Sequence, residues 1–178
     1  KEADGLFGSA GGGVFNMNGG TETTATTAGA AATLPDNWKI ALSATLGHST
    51  SLDAAGSALS LAPGGVSSTA YEIMTEKTGL FTGLDRLRLS LTQPLHVESG
   101  AMNFTSVQVT DRTTGALGAL HETWALSTQR EYRSEIQYGF AMLDGKAEVA
   151  VYGLADAHPV TAPDTTELAV GGEFQLKL

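Results

Sequence analysis

The stretch EYRSEIQYGFAMLDGKAEVAVYGLA, residues 131–155, decides the fold of this chain. Apolar and polar side chains alternate on both sides of Asp144-Gly145, which is typical of β-strands with two different faces. Asp-Gly between two such runs is a strong signal for a two-residue type I′ hairpin turn. Folding about this turn predicts the pairs Leu143 with Lys146, Met142 with Ala147, Phe140 with Val149 and Tyr138 with Val151. The apolar partners then share one face, so the register is self-consistent.

The same alternation recurs along the rest of the chain. Long strands are predicted at 37–48, 85–97, 131–142, 146–155 and 167–178, and shorter ones at 71–76, 102–110 and 120–128. Residues 1–35 are rich in Gly, Ala and Thr, and we expect a partly extended N-terminal segment there, with short strands around Leu6–Phe7 and Val14–Met17. Residues 36–178 are predicted to form an antiparallel β-domain, and no segment has the period of a helix.

The long strands have one polar and one bulky apolar face, and this arrangement fits two architectures. Their 10 to 13 residues match the length that a tilted strand needs to cross a bilayer. An antiparallel up-and-down β-barrel of about eight strands, or part of one, would turn the apolar face outward. A β-sandwich would turn the same face inward. Aromatic residues make up only 7% of the chain without a girdle repeating at strand ends, which argues against a membrane. We nevertheless predict the barrel, with the β-sandwich as the alternative.

Composition and charge exclude several classes of protein. The 10 Lys and Arg residues against 19 Asp and Glu give a net charge of −9, which argues against a nucleic-acid partner. Without cysteine, the chain has no disulfide, no thiolate zinc site and no cysteine nucleophile. No apolar run is long enough for a transmembrane helix. Few charges and 22 glycines are typical of an exported, turn-rich β protein.

The chain begins at Lys1 without an initiator Met or an apolar signal segment. We therefore expect a segment released or taken from a longer precursor.

No stretch of the sequence carries a complete catalytic, cofactor or metal motif. Gly47-His48-Ser49-Thr50-Ser51 lacks the final Gly of a nucleophile elbow and has no helix after it, so a strand end running into a loop is expected. The glycines at 8–13 are not followed by the Lys and Ser or Thr of a phosphate-binding loop. The four histidines share no metal-ligand spacing, and each is expected at a solvated strand end: His48, His96, His121 and His158. We expect no catalytic, cofactor-binding or metal-binding residue and no enzymatic activity.

Three carboxylates fall on the polar face of the hairpin at Glu131, Glu135 and Glu148. A carboxylate pair for acid–base catalysis is one interpretation. A charge-balanced face, with Arg133 and Lys146 as the partners, is the interpretation that we favour.

The stretch DRLRLSLTQPLHVESG, residues 85–100, resembles a segment in the C-terminal regions of autotransporter-like S8 (subtilisin-type) serine peptidases of Gram-negative bacteria. A Trp-led strand from Trp38 precedes it, and the hairpin, a His158-Pro159 step and a final apolar strand follow it in the same order. The resemblance covers residues 36–178. Pro94 lacks an N–H, which predicts an edge, a bulge or a strand exit there, and Gly100 permits a tight return into the next strand.

The resemblance implies a function for the chain. In that family the catalytic Asp, His and Ser lie in an upstream subtilisin-like domain, and none of its motifs occurs here. The chain is then a non-catalytic C-terminal β-domain that anchors, translocates or stabilises a protease passenger. The implied partners are that passenger and outer-membrane lipid, and the implied location is the outer membrane or the cell surface. The alternative is a soluble extracellular β-sandwich that serves as a binding or structural module.

Overall fold

Alternating side chains form strands throughout the part of the chain that the structure describes. The computed structural model describes residues 5–6, 9–10, 17, 19–52, 57–127, 129–143, 146–160 and 162–176. These residues contain twelve strands, one turn of 3-10 helix at Pro35–Asn37 and no α-helix. The strands are β1 (Gly5–Leu6), β2 (Ser9–Ala10), β3 (Thr21–Leu34), β4 (Trp38–Ser51), β5 (Leu59–Leu61), β6 (Val66–Thr78), β7 (Asp85–Ser99), β8 (Ala101–Asp111), β9 (Ala116–Ala125), β10 (Tyr132–Met142), β11 (Ala147–Ala157) and β12 (Thr166–Leu176). The prediction of an all-β fold is confirmed.

The strands form three sheets. A seven-stranded sheet has the order β12-β11-β10-β7-β6-β4-β3, a three-stranded sheet has the order β5-β8-β9, and β1 pairs with β2. Most neighbours in the large sheet are consecutive along the chain, as in hairpins, and the β7–β10, β10–β11 and β11–β12 pairs are antiparallel. The connection from β7 to β10 contains the β8–β9 hairpin of the three-stranded sheet.

The register predicted for the hairpin at 131–155 is confirmed. Tyr138 lies opposite Val151, and the predicted pairs further towards the turn are likewise in register. Lys146 N donates to Leu143 O over 3.1 Å, which joins the two ends of the strands. The predicted turn residues Asp144 and Gly145 lie outside the described residues.

The N-terminal segment contributes a full strand to the large sheet. Thr21–Leu34 forms β3 at one edge, where its small Thr and Ala side chains are mostly exposed. The prediction of a partly extended segment is consistent with this strand, whereas the predicted short strand over 14–17 lies almost entirely outside the described residues. Thr and Ala lack the large apolar side chains whose alternation identifies a strand in the sequence.

The two special residues of the 85–100 stretch occupy the predicted kinds of position. The pairing of β7 with β10 extends to Thr92, so Pro94 lies beyond that ladder and its missing N–H removes no bond to β10. Gly100 has a φ of 138° between β7 and β8. A Cβ at Gly100 would lie 2.9 Å from Gly65 O, and therefore glycine alone fits this turn.

The chain divides into two compact units, which are described separately. Unit 1 comprises Lys1–Thr26, Leu46–Thr69 and Val97–Thr128, and unit 2 comprises Thr27–Thr45, Ala70–His96 and Gln129–Leu178. Unit 1 has a small apolar core of Met17, Leu61 and Val66. The buried residues of unit 2 are instead small or polar: Asp85, Gln93, His96, Ala147, Ala150 and Asp156.

Candidate functional site

The feature of unit 2 that stands out is a sheet with one apolar and one polar face. Ile136 lies opposite both Leu89 and Gly153, and Gly153 lies opposite Val170, so one apolar row crosses four strands. The neighbouring row, on the other face, joins Gln137 to Arg88 and Tyr152. This division follows from the period of two along each strand and from registers that keep like residues together.

The apolar face is exposed. Val170 is 88% exposed, Leu168 78%, Phe174 66% and Ile136 51%. Two shallow depressions on this face, of about 440 and 490 Å³, are lined mostly by the apolar side chains of β7, β10, β11 and β12. Contiguous exposed apolar area of this kind marks a surface that contacts lipid or protein.

The polar face of unit 2 carries ion pairs. Arg133 contacts Asp156 at 2.9 Å and Glu131 at 3.0 Å, and Arg86 contacts Glu148 at 3.5 Å. The predicted pairing of Glu131 with Arg133 is confirmed, whereas Glu148 pairs with Arg86 of β7, 62 positions away in the sequence, instead of Lys146. Glu135 lies opposite Ser90 and Leu154, and so no carboxylate faces it across either ladder. This geometry fits a charge-balanced face better than a catalytic carboxylate pair.

Aromatic side chains gather at two levels of unit 2. One group lies near the ends of the short turns and consists of Trp38, Phe81, Tyr138, Phe140 and Phe174. At the other level Tyr71 of β6 and Tyr132 of β10 are neighbours. Tyr132 and Phe140 lie on the same strand eight residues apart, a separation of about 26 Å at the rise of a β-strand. Because the aromatics come from several strands and one turn, this banding gives no repeat in the sequence, where no girdle was found.

The turn between β6 and β7 is built around a buried carboxylate. Asp85 is 2% exposed and accepts the backbone N–H groups of Leu80, Phe81 and Thr82 at 2.6 to 3.0 Å. It also accepts the hydroxyl of Tyr138 at 2.9 Å. With four donors, the carboxylate compensates for its burial and fixes the shape of the turn.

The Gly47–Ser51 stretch is not a nucleophile elbow, since it lies within the last five residues of β4. Ser49 is buried and its hydroxyl hydrogen-bonds to that of Thr23 at 2.8 Å. His48 is exposed, and its Nδ1 lies 3.5 Å from the Ser67 hydroxyl. The structure therefore does not join Ser49 to His48 as a nucleophile and its base.

The histidines are dispersed, and one of them departs from its predicted setting. His121 contacts Thr105 at 3.1 Å, and Nδ1 of His158 lies 3.0 Å from Nε2 of Gln129 and 2.8 Å from the carbonyl oxygen of Pro163. His96 is only 7% exposed inside β7, so its prediction as a solvated strand-end residue was wrong. Arg86 and Arg88 of the same strand are exposed, so the burial of His96 is local to its position in β7.

Within the described ranges, no group of three or more His, Cys, Asp or Glu residues is arranged to hold a metal ion. Among those same residues, the structure has no helix with the length and apolar character needed to cross a membrane. Comparison with protein-family models, with curated proteins and with solved structures found no match to this chain. The amphipathic sheet of unit 2 is thus the candidate site on which a function can be argued.

Two parts of this site were absent from the sequence-based predictions. The hydrogen bonding of the β6–β7 turn to Asp85 corresponds to no sequence motif. An Asp directly after a Gly-containing apolar turn is nevertheless a weak signal for a side chain that caps the turn. The aromatic bands could have been found only by aligning the strands in their registers, of which the sequence predicted one.

Proposed function

We propose that this chain is a non-catalytic C-terminal β-domain of a secreted or outer-membrane-associated subtilisin-like serine protease. It anchors, translocates or stabilises the attached protease passenger. The observation that carries the membrane part of this proposal is the exposed apolar face of unit 2, with Leu168, Val170 and Phe174 uncovered. A bilayer covers such a face favourably, because removing apolar surface from water gains about 25 cal/mol of free energy per Å².

The finer proposal is an antiparallel up-and-down β-barrel, or part of one, with its apolar face towards lipid. The strands of the large sheet have 11 to 15 residues, enough for a tilted strand to cross a bilayer. The two aromatic levels, about 26 Å apart on β10, agree with the height of about 25 Å of the apolar band in such barrels.

The lengths of the connections also support a barrel. Three strand pairs of the large sheet are joined by the short segments 35–37, 79–84 and 143–146. The connections that leave the opposite strand ends are longer, over 52–65, 100–131 and 158–165. Outer-membrane barrels have this asymmetry, with short turns on the periplasmic side and long loops outside.

The two edges of the large sheet support the notion of a partial barrel. β3 and β12 are edge strands of 14 and 11 residues, and no other described strand pairs with their outer sides. Long exposed edges are pairing sites that proteins otherwise protect. Closure would satisfy these edges through pairing with strands outside the described residues or with each other.

The family part of the proposal rests on the resemblance of residues 85–100. Pro94 lies where β7 leaves β10 and Gly100 lies in a turn that admits only glycine, which agrees with the physical interpretation of these two residues. The reading frame upstream of Lys1 tests this part directly. A subtilisin-like domain with its Asp, His and Ser motifs is expected there, and a different upstream domain would reject the family.

A detergent-dependence experiment tests the membrane part. The purified chain is expected to fold and stay monodisperse in detergent or vesicles, with heat-modifiable migration in gel electrophoresis, and to aggregate in plain buffer. A chain that is monomeric and folded in plain buffer would favour the soluble sandwich and contradict the proposal. Treatment with a serine-reactive fluorophosphonate is expected to leave the chain unlabelled, and stoichiometric labelling would contradict the non-catalytic role.

A further inference from the structure

The turn between β6 and β7, over 79–84, displays apolar side chains and bears no charge. Its sequence is Gly-Leu-Phe-Thr-Gly-Leu, with Phe81 80% exposed and Leu84 66% exposed. Exposure of several large apolar side chains in one short turn is unusual, since turns are generally polar. The turn therefore requires an explanation beyond chain reversal.

The exposure of this turn is built into the structure. Asp85 holds three successive N–H groups of the turn, and Gly79 adopts a φ of 73° at its start. The ring of Phe81 stands edge-on to Tyr138, with centroids 5.9 Å apart, while the Tyr138 hydroxyl binds Asp85. The buried carboxylate thus prevents the turn from folding its apolar residues inward.

The end of β10, next to the β6–β7 turn, also exposes an apolar side chain. Ala141 N donates to Leu84 O over 3.3 Å, which ties the β10 strand end to the β6–β7 turn. Leu143, just beyond β10, is 66% exposed with a φ of 52°. The β6–β7 turn and Leu143 both continue the apolar face of unit 2 through Leu87, which lies opposite Tyr138.

The charges at this end of unit 2 suit a lipid surface, although the chain as a whole is acidic. Glu76 is paired with Lys39 at 3.7 Å, and Glu148 with Arg86 at 3.5 Å. Lys77 donates to the carbonyl of Asp36 while its ammonium lies 5.6 Å from the ring centre of Trp38. A Lys beside a Trp is typical of the membrane–water interface, where both have an apolar body and a polar tip.

We propose that the β6–β7 turn is a lipid-contacting element of the membrane interface and that Asp85 is the positioning residue that holds Phe81 and Leu84 outward. This inference rests on the proposed function, because it places the turn at the rim of an apolar face that faces lipid. It adds the element that enters the interface and the group that controls its shape.

The absence of cysteine from the chain permits single-site fluorescent probes. F81C, V170C and V107C are each labelled with an environment-sensitive NBD group and reconstituted in phosphatidylcholine vesicles with or without brominated acyl chains. Val170 reports on the apolar face of unit 2, and Val107 is a control of similar exposure in unit 1. A blue shift and bromine quenching are expected at 81 and 170 and neither at 107.

The outcomes separate this inference from the proposed function. Quenching at 170 but not at 81 would overturn the inference and leave the membrane-embedded face standing. No quenching at either position would overturn both. A blue shift at 81 that grows with protein concentration without lipid would assign the turn to a contact between copies of this chain and overturn the lipid assignment.

The role of Asp85 is tested in the F81C background. D85N is expected to lower the quenching at 81, because an amide oxygen accepts hydrogen bonds from the turn N–H groups less strongly than a carboxylate does. As the control, D85N combined with V170C is expected to leave the quenching at 170 unchanged. Should D85N fail to fold, Y138F removes only the hydroxyl bond to Asp85 and is expected to reduce the quenching at 81 by a smaller amount. Unchanged quenching in both variants would show that Asp85 does not position the turn.

Discussion

The two units of this chain differ in which residues they bury. Unit 1 buries Met17, Leu61 and Val66 in a small core, as water-exposed domains do. Unit 2 buries Asp85 and Asp156 while most of the large apolar side chains on its sheet remain exposed. Both units are built from the same period-two strands, so the difference arises from which face is covered. Both units expose large apolar side chains, Val107 and Leu117 among them in unit 1, so the comparison rests on the small apolar core that unit 1 has.

The largest expected effect comes from a charge on the apolar face of unit 2. V170R is expected to destabilise the fold in vesicles, lowering the free energy of unfolding by about 2–4 kcal/mol, which is the cost of Arg facing the centre of a bilayer. V107R in unit 1 is the matched control, since Val107 is also an exposed strand residue. The folded fraction is measured from heat-modifiable migration across a urea titration. Equal tolerance of both variants would remove the distinction between the units.

The next effect tests the core of unit 1. V66A is expected to destabilise unit 1 by about 2 kcal/mol, because Val66 is fully buried and the change removes two methyl groups and leaves a cavity. V109A, at an exposed position of the same unit, is expected to have little effect. Trp124 fluorescence, in a W38F background, follows the unfolding of unit 1 alone. A V66A variant as stable as V109A would mean that unit 1 has no energetically significant core.

A smaller effect is expected on the polar face of unit 2. R86M removes the ion pair with Glu148, in which Arg86 is about half exposed and Glu148 about one-third exposed. This change is expected to lower the free energy of unfolding by less than about 1 kcal/mol. If that face is in contact with water, raising the salt concentration should shrink the difference between the R86M variant and the parent. A loss of several kcal/mol that is insensitive to salt would show that the pair is buried away from water.

The smallest effect concerns the β8–β9 turn of unit 1. Asp111 accepts the Thr114 hydroxyl and the N–H groups of Thr113 and Thr114, and these hydrogen bonds lower the pKa of its carboxyl below the ordinary value. Since the folded-state pKa is the lower one, the stabilisation is present above the unfolded-state pKa and is lost as the pH falls through the folded-state pKa.

Amide hydrogen exchange at Thr113 and Thr114 measures this dependence, after correction for the intrinsic effect of pH on exchange. Protection is expected at neutral pH and should decrease on acidification, whereas D111N should show weak protection with little dependence on pH. The same protection in D111N and the parent at neutral pH would contradict a role for the carboxylate.

Local pattern predicted much of unit 2. The Asp144-Gly145 signal and the alternation around it predicted the pairing of Tyr138 with Val151, and the structure has this register. The predicted strand at 85–97 corresponds to β7, which extends two residues further to Ser99. These features depend on neighbours along the chain, and so the residues that determine them are visible together in the sequence.

Other features were missed because they depend on residues that are distant in the sequence. His96 is buried although its neighbours along the strand give no sign of this, and Asp85 meets Tyr138 across 53 positions of the chain. β3 was seen only as an extended segment, since its Thr and Ala residues carry no apolar stripe. Each of these features can be predicted only once the order of the strands in the sheet is known.

The sequence by itself determined that the chain would form amphipathic antiparallel strands and which residues would share each face. This follows because the alternation of side chains along a strand is local and has a fixed period of two. Only the tertiary structure decided that Trp38, Phe81, Phe140 and Phe174 would lie at one level and that Asp85 would accept hydrogen bonds from the β6–β7 turn. Levels across a sheet are set by registers between strands, and those registers depend on contacts that no single segment contains.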